Sequence, residues 1–458
     1  MSKSILAIDI GTTSIVSIIA QNDLNNKINI LGIGKSTSDG IKNGAIVDIN
    51  RVSNSIKNAV DLAKSSSSTN IISTIVSISG IHTKSIRSSG FINIPSGHIT
   101  KKEISQVLTM ALYDASIIPN YNVIHVIPLY FKIDDSTTTI DNPLNMNGSR
   151  LEVYANIITA KKTSLNNIQN ALKKSNLEVS YFVLSSYAST IATLKEDQKK
   201  LGTAVIDLGG STSELAIYKN KSLTYNDVVP IGSEAITKDL SIMLHTPFSA
   251  ANEVKKQYST LLPKDSNSTD TITKVKVPVL GNENESKELS LDLIQPMVHA
   301  RVEEILCLLH DKLTQSGLKE TVNGLVLTGG MSKIPGIDNL AKKIFSNLPV
   351  KISNPHNIQN GYINFQDQTL STTAGLLFYA LEDDIFFELN SARLLREKIN
   401  TQDEVVFEQN NEVNKNINNT NYNNELNDLD NIKDINNLST EKKTSSLGKF
   451  WKKIGELL

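Results

Sequence analysis

One short pattern occurs twice in this chain, and it constrains the fold more than any other feature. In "ILAIDIGTTSIVSIIA" (5–20) a β-branched apolar run carries Asp9, breaks at a small hydroxyl-rich turn, and resumes as a second apolar run. "GTAVIDLGGSTSELAIY" (202–218) repeats the order with Asp207 and the turn Gly209-Gly210-Ser211-Thr212. Each copy predicts a β-hairpin. Its tip presents closely spaced backbone N–H groups and hydroxyls, which suit phosphate oxygens, and the aspartate just before it suits a hydrated Mg²⁺. A single glycine-rich hairpin is an ordinary tight turn. Two copies, each opening a β/α segment, argue for a duplicated pair of domains that grip a nucleotide from both sides. A third stretch, "VNGLVLTGGMSKIPGIDNLAKKIF" (322–345), predicts a strand ending in Gly329-Gly330, a turn, and a helix from about Gly336. Read alone it is a strand-to-helix turn; after two phosphate hairpins it reads as an adenosine-binding turn.

Between and beyond these motifs, residues 1 to about 395 alternate strand-like and helical patterns, as expected of a mixed α/β protein. The 458 residues, 39% of them hydrophobic, suffice for two or three domains with real cores. With 46 Lys and Arg against 47 Asp and Glu, no global charge draws the chain to nucleic acid. The single cysteine, Cys307, excludes an intramolecular disulfide and is expected as a buried structural thiol in "VEEILCLLHDKL". Neither a signal peptide nor a run long enough to span a bilayer is present, so a cytosolic protein is expected.

From about Asn400 to Thr444 asparagine dominates, with too little apolar surface to offset the entropy of ordering. This reads as a linker of about 45 residues with an r.m.s. span of ~35–40 Å. The stretch that follows, "SSLGKFWKKIGELL", predicts an amphipathic helix. Leu447, Phe450, Trp451, Ile454, Leu457 and Leu458 form its apolar side, with Lys452 and Lys453 elsewhere on the wheel. A helix lying in a membrane interface, its lysines toward anionic lipid, fits better than one folded back on the body or a protein-binding peptide. Six partly buried side chains make a weak anchor, so stable attachment calls for several held together in a polymer.

The three glycine motifs together resemble the actin, Hsp70 and sugar-kinase superfamily of ATP-binding folds, from Ser4 to about Glu397. "GIGKSTSDGIKNGAIVDI" (32–49), "VSISGIHTKSIRSSGFINI" (76–94), "VIHVIPLYFKID" and "NPLNMNGSRLEVYANIITA" (123–160) are similar to the FtsA family of bacterial cell-division actin homologues. That resemblance implies two duplicated α/β domains in an actin-like ATPase fold. Subdomain 1A would span 1–86, 163–199 and 371–397, with a 1C insertion over 87–162. Subdomain 2A would span 200–237 and 303–370, and 2B 238–302. The linker would follow at 398–444 and the targeting helix at 445–458. In the insertion, Thr100 with Glu103 predicts a capped helix start.

The resemblance also assigns roles. Gly11, Thr12, Thr13 and Ser14 would hold phosphates from the first domain, and Gly209, Gly210, Ser211 and Thr212 from the second. Asp9 and Asp207 would position Mg²⁺ through water. Gly232, Asn252, Lys255, Gly329, Gly330 and Met331 would complete the ATP site. Asn252 stands where relatives carry Glu, and Glu214 where they carry Asp, which leaves the part of each open. No convincing catalytic base is visible, so slow ATPase activity at most is expected. The implied partners are the C-terminal tail peptide of the tubulin-like FtsZ at 2B, further copies of the chain in a filament, anionic lipid at the C-terminal helix, and later division proteins at 1C. The implied location is the cytoplasmic side of the membrane at the division site. At 2B the family's Glu-Pro-Arg appears as Gln295-Pro296-Met297. A PilM-like pilus-assembly adaptor is the nearest rival, a sugar kinase a more distant one, and an Hsp70-type chaperone would need a β-sandwich where the linker stands.

Overall fold

The first apolar runs form three antiparallel strands, β1 (Lys3–Ile10), β2 (Ser14–Asn22) and β3 (Ile28–Thr37). This computed structural model describes residues 3–402 apart from 68, 264–273, 347, 357, 359–364 and 383–386. The terminal helix expected over 445–458 and most of the Asn-rich stretch lie outside the described residues. Ile5, Leu6, Ala7 and Ile8 are all fully buried although consecutive, because layers of structure cover both faces of the sheet. A two-residue ladder, β4 (Ile41–Lys42) with β5 (Ala45–Ile46), leads into α1 (Ile49–Lys64). Asp48 caps α1 by accepting from the Asn50 and Arg51 amides. β6 (Asn70–Ile78) then returns parallel to β1.

The chain next builds a separate body. β7 (Thr83–Asn93), α2 (Lys101–Asp114), β8 (Tyr121–Ile133) and β9 (Arg150–Lys161) make an antiparallel sheet in the order β7-β9-β8. Its own core includes Ile104, Leu108, Phe131, Leu151 and Val153. Thr100 and Glu103 close the expected capping box at the start of α2.

α3 (Lys162–Lys174), β10 (Tyr181–Leu184), α4 (Ser185–Thr193) and α5 (Glu196–Leu201) complete the first domain, whose sheet order is β10-β6-β1-β2-β3. The second domain opens with β11 (Thr203–Leu208), β12 (Ser213–Lys219) and β13 (Ser222–Val229). α6 (Ser233–Met243), α7 (Phe248–Tyr258), the hairpin β14 (Lys274–Val279) and β15 (Asn282–Ser290), and the long α8 (Leu291–Gln315) follow. β16 (Leu325–Thr328), α9 (Ile337–Ile344) and β17 (Val350–Ile352) finish this domain. Its sheet order, β13-β12-β11-β16-β17, repeats the first one: two antiparallel pairings on one side of the motif strand, two parallel pairings on the other. The duplication read from two glycine turns is therefore a duplication of whole sheets. α10 (Ser371–Leu381) crosses back and packs into the first core.

Two expectations are corrected. Cys307 is exposed, because the buried stripe of α8 runs through Val302, Ile305, Leu306, Leu309 and Leu313 and leaves position 307 turned outward. The stretch after α10 also stays packed beyond the expected linker start at 398. The Ile399 amide donates to the Ala380 carbonyl (2.8 Å), Thr401 Oγ1 accepts from the Asn22 amide (2.8 Å), and Thr401 is buried. Backbone polar groups of β2 and α10 find their partners there, which composition does not reveal.

Candidate nucleotide site

In both hairpins the aspartate lies one residue before the strand's last, so each carboxylate stands just behind its turn. The two turns meet: Thr12 Oγ1 and Ser211 Oγ are 2.6 Å apart, across the join between the domains. Gly210 packs against the first turn, since a Cβ there would fall 2.6 Å from Thr13 Cγ2 and would have to displace that side chain. The second turn rests on the start of α6, where the Ser233 and Glu234 amides donate to the Gly209 and Gly210 carbonyls at 3.0 and 2.8 Å. Gly232, buried at that point, would place a Cβ within 2.5–2.7 Å of the 209–210 backbone. Its contribution is to hold the turn.

On one side of the tips lies a cavity of about 150 Å³ lined by Asp9, Gly11, Thr12, Asp207, Gly209, Gly210, Thr212 and Glu214. Asp9 accepts from Ser77 Oγ at 2.7 Å, while Asp207 accepts from Ser189 Oγ and from Thr372 Oγ1 (3.3 Å). Desolvation pushes the Asp9 carboxyl up to about 6 against the Ser77 hydrogen bond, and the nearby Asp207 adds to the rise. Asp207 is raised by desolvation too, with its two hydroxyl partners opposing. Two carboxylates in one cavity, each costly to ionise alone, form a place where a cation lowers the energy of both. Among the described residues no cluster of three or more His, Cys, Asp or Glu could hold a metal unaided. A hydrated Mg²⁺ that takes most of its oxygens from water and phosphate fits such a donor set.

On the other side opens a cleft of about 880 Å³, within the range of small-molecule sites. Thr12, Thr13 and Ser14 form one wall, and Asn252, Lys255, Gly330 and Met331 line the other. Lys255 Nζ donates to the Ser233 carbonyl at 3.1 Å, and desolvation lowers its ammonium to about 8 despite the nearby Glu234. Met331 reaches the cleft only at its edge, its side chain being nearly all in the second core. Gly329 has a reason different from the one its sequence suggested. At φ +84 its missing Cβ would lie 2.4 Å from Asp207 Oδ1, so it clears space for the aspartate. Gly330 faces the cleft, with the nearest atom to its ideal Cβ at 3.6 Å.

Every expected site residue among the described ones is thus at or directly beneath this junction. Ser77, Ser189, Thr372 and Glu234 were missed. They reach the aspartates and the cleft from β6, α4, α10 and α6, and no spacing in the sequence relates them to the turns. Glu214 lines the same small cavity and is tied to the first domain. Its carboxylate accepts from Ser79 Oγ (2.7 Å), the Gly80 amide (2.9 Å) and the Ser186 amide (3.1 Å). Desolvation raises it to about 7, the three donors opposing.

Comparison with known families matches residues 204–375 to the model for cell division protein FtsA and residues 80–159 to the SHS2 domain inserted in FtsA. Curated relatives agree. Cell division protein FtsA of Pseudomonas aeruginosa is 32% identical over 83% of this chain and 90% of its own length. The Helicobacter pylori protein of that name is 32% identical over 86% and 85%, and the Bacillus subtilis one 33% over 82% and 83%. Among solved structures, the PilM-PilN type IV pilus biogenesis complex matches with a TM-score of 0.56 at 13% identity, covering 81% of this chain and 97% of that one, a likeness of fold alone.

Proposed function

Because this chain belongs to the FtsA family of cell division proteins and has an actin-like fold, we propose that it binds Mg·ATP at the junction of its two hairpin tips. The observation that carries this reading is the 2.6 Å approach of Thr12 to Ser211, which brings two phosphate-suited turns to one point. Gly11, Thr12, Thr13 and Ser14 would take phosphate oxygens from one side and Gly209, Gly210, Ser211 and Thr212 from the other. Asp9 and Asp207 would hold the metal's water shell. The nucleoside would lie in the larger cleft beside Asn252, Lys255 and Gly330. The amide of Asn252 accepts a hydroxyl hydrogen bond as the usual Glu does, without its charge.

The nucleotide would act mainly as a ligand that favours one arrangement of the two domains, and through it association into filaments. On this reading the subdomains follow the limits given above, except that the insertion begins near residue 80 to take in all of β7, and the first domain runs on to about 402. The amphipathic terminus, 445–458, gathers many weak anchors onto the inner face of the membrane. The β14–β15 hairpin with the start of α8 receives the tail peptide of FtsZ. The inserted domain is open to later division proteins.

Calorimetry of the full chain with Mg·ATP tests the premise, and no uptake by well-folded protein refutes it. Electron microscopy on lipid monolayers, with and without ATP, then tests polymer and anchor together: ordered arrays should require the nucleotide. Liposome flotation of the full chain against a version ending at Lys443 isolates the anchor. Equal flotation of the two would remove the terminal helix from the account.

A further inference from the structure

The inserted domain leaves the first domain but leans on the second. Asn156 Nδ2 donates to the Leu223 carbonyl (3.1 Å), Ser222 Oγ to the Pro128 carbonyl (2.7 Å), and Arg87 Nη2 to the Thr224 carbonyl (3.4 Å). Each of these bonds joins β7, β8 or β9 to β13, the strand that pairs with β12 of the second phosphate hairpin. Glu214 lies on β12 directly opposite Asp207 in the ladder. Its carboxylate crosses to the first domain at two places: Ser79 and Gly80, just ahead of β7, and Ser186, at the start of α4. Gly80 packs closely there, an ideal Cβ lying 3.3 Å from Glu214 Oε2 and 3.5 Å from Val228 Cβ.

We infer that Glu214 is a positioning residue, tying the second phosphate hairpin to the root of the inserted domain so that occupancy of the hairpin tips sets how firmly that root is held. The inference rests on the Mg·ATP reading above. Both carboxylate oxygens are used as acceptors, so the geometry demands a carboxylate. An amide in its place would turn an NH₂ group toward either the Ser186 amide or the Ser79–Gly80 pair, donor against donor. Glu214 also lines the small cavity beside Asp9 and Asp207, so its response to nucleotide is to be read with the site filled. At saturating Mg·ATP, loss of the tie shows as loss of the response. In a protein whose inserted domain is an interaction body, that response is a route from nucleotide state to partner surface.

The test is backbone amide hydrogen exchange on the full chain, with and without Mg·ATP, beside calorimetry on the same samples. In the unsubstituted protein, Mg·ATP should slow exchange over 79–89 and 222–229 by about tenfold. In Glu214→Gln, held at Mg·ATP concentrations that calorimetry shows to saturate it, that slowing should disappear, because the tie is broken while the site is filled. Ser79→Ala removes one donor only and should lose part of the slowing; it carries the test if the first variant does not fold. Slowing that persists in full in both variants overturns the inference. So does faster exchange of equal size with and without nucleotide, which would mark Glu214 as merely structural. If the unsubstituted protein takes up Mg·ATP yet its insert root shows no response, the inference fails while the nucleotide reading stands. If there is no uptake at all, the nucleotide reading itself has failed and takes the inference with it.

Discussion

Gly232→Ala is the sharpest test of how the second phosphate turn is supported. The added methyl carbon would lie 2.5 Å from the Gly210 carbonyl oxygen, 2.6 Å from its carbon and 2.7 Å from the Gly209 oxygen, all of them backbone atoms. Ordinary contact needs roughly 3.4 Å or more, so either the turn or the start of α6 must shift by about 1 Å. No flexible side chain is available to absorb that movement. Overpacking of this kind costs ~1–3 kcal/mol in stability. The larger effect falls on the ligand, since the displaced turn carries the amides and hydroxyls proposed for phosphate. Misplacing one or two hydrogen bonds to a charged group, at ~1.5–3 kcal/mol each, weakens Mg·ATP binding by roughly 10- to 100-fold or more. Calorimetry and nucleotide-dependent thermal shift would measure this beside Gly324→Ala, whose nearest neighbour to an ideal Cβ is 3.7 Å away. If Gly232→Ala bound Mg·ATP as tightly as the unsubstituted protein, the support argument would be wrong.

Gly330→Ala should leave the melting temperature nearly unchanged, there being room at 3.6 Å, yet weaken ATP measurably if the nucleoside packs on that backbone. Unaltered affinity in a titration would move the nucleoside elsewhere in the cleft. Lys255, lowered to about 8 by desolvation, carries its charge below that pH and loses it above. Mg·ATP affinity should accordingly drop by up to about tenfold between pH 7 and 9, and Lys255→Met should flatten the profile. Stability of the nucleotide-free fold should move the opposite way, rising above pH 8, because the unfolded chain binds the extra proton up to its ordinary pKa. Glu388, 1% exposed, accepts from Tyr187 Oη (3.0 Å), from Tyr379 Oη and from His125 Nδ1 (3.3 Å). Glu388→Ala should destabilise by ~3–5 kcal/mol in urea unfolding, as three buried donors lose their acceptor; a loss below about 1 kcal/mol would show that they find other partners.

The site was legible to an uneven depth. Asp9 and Asp207 stood out because a carboxylate on an apolar strand just before a small turn is a local pattern, and the hairpin that creates it is local as well. The capped start of α2 was visible for the same reason, Thr100 and Glu103 being one turn apart. Glu234 lies in the same segment as the second hairpin and was passed over, since nothing in its immediate neighbours says that the first turn of α6 opens onto the cleft. Cys307 was misjudged because a one-residue step around α8 separates the buried Leu306 from solvent. Gly329 was read as part of an adenosine-binding turn, but its close neighbour proved to be Asp207, on a strand more than a hundred residues earlier.

By itself the chain's order of residues determined the duplicated α/β plan, the two phosphate-suited turns and the family. The first two follow from periodicity and turn chemistry within a few neighbouring residues, and the family from the likeness of several separate stretches, among them 32–49, 76–94 and 123–160. Only the tertiary structure decided that the two turns touch, that Ser77, Ser189 and Thr372 hold the aspartates, and that Glu214 faces three donors of the other domain. Those contacts join residues separated by up to about two hundred positions. Such pairings arise from how two sheets pack against each other, and local preference carries no record of them.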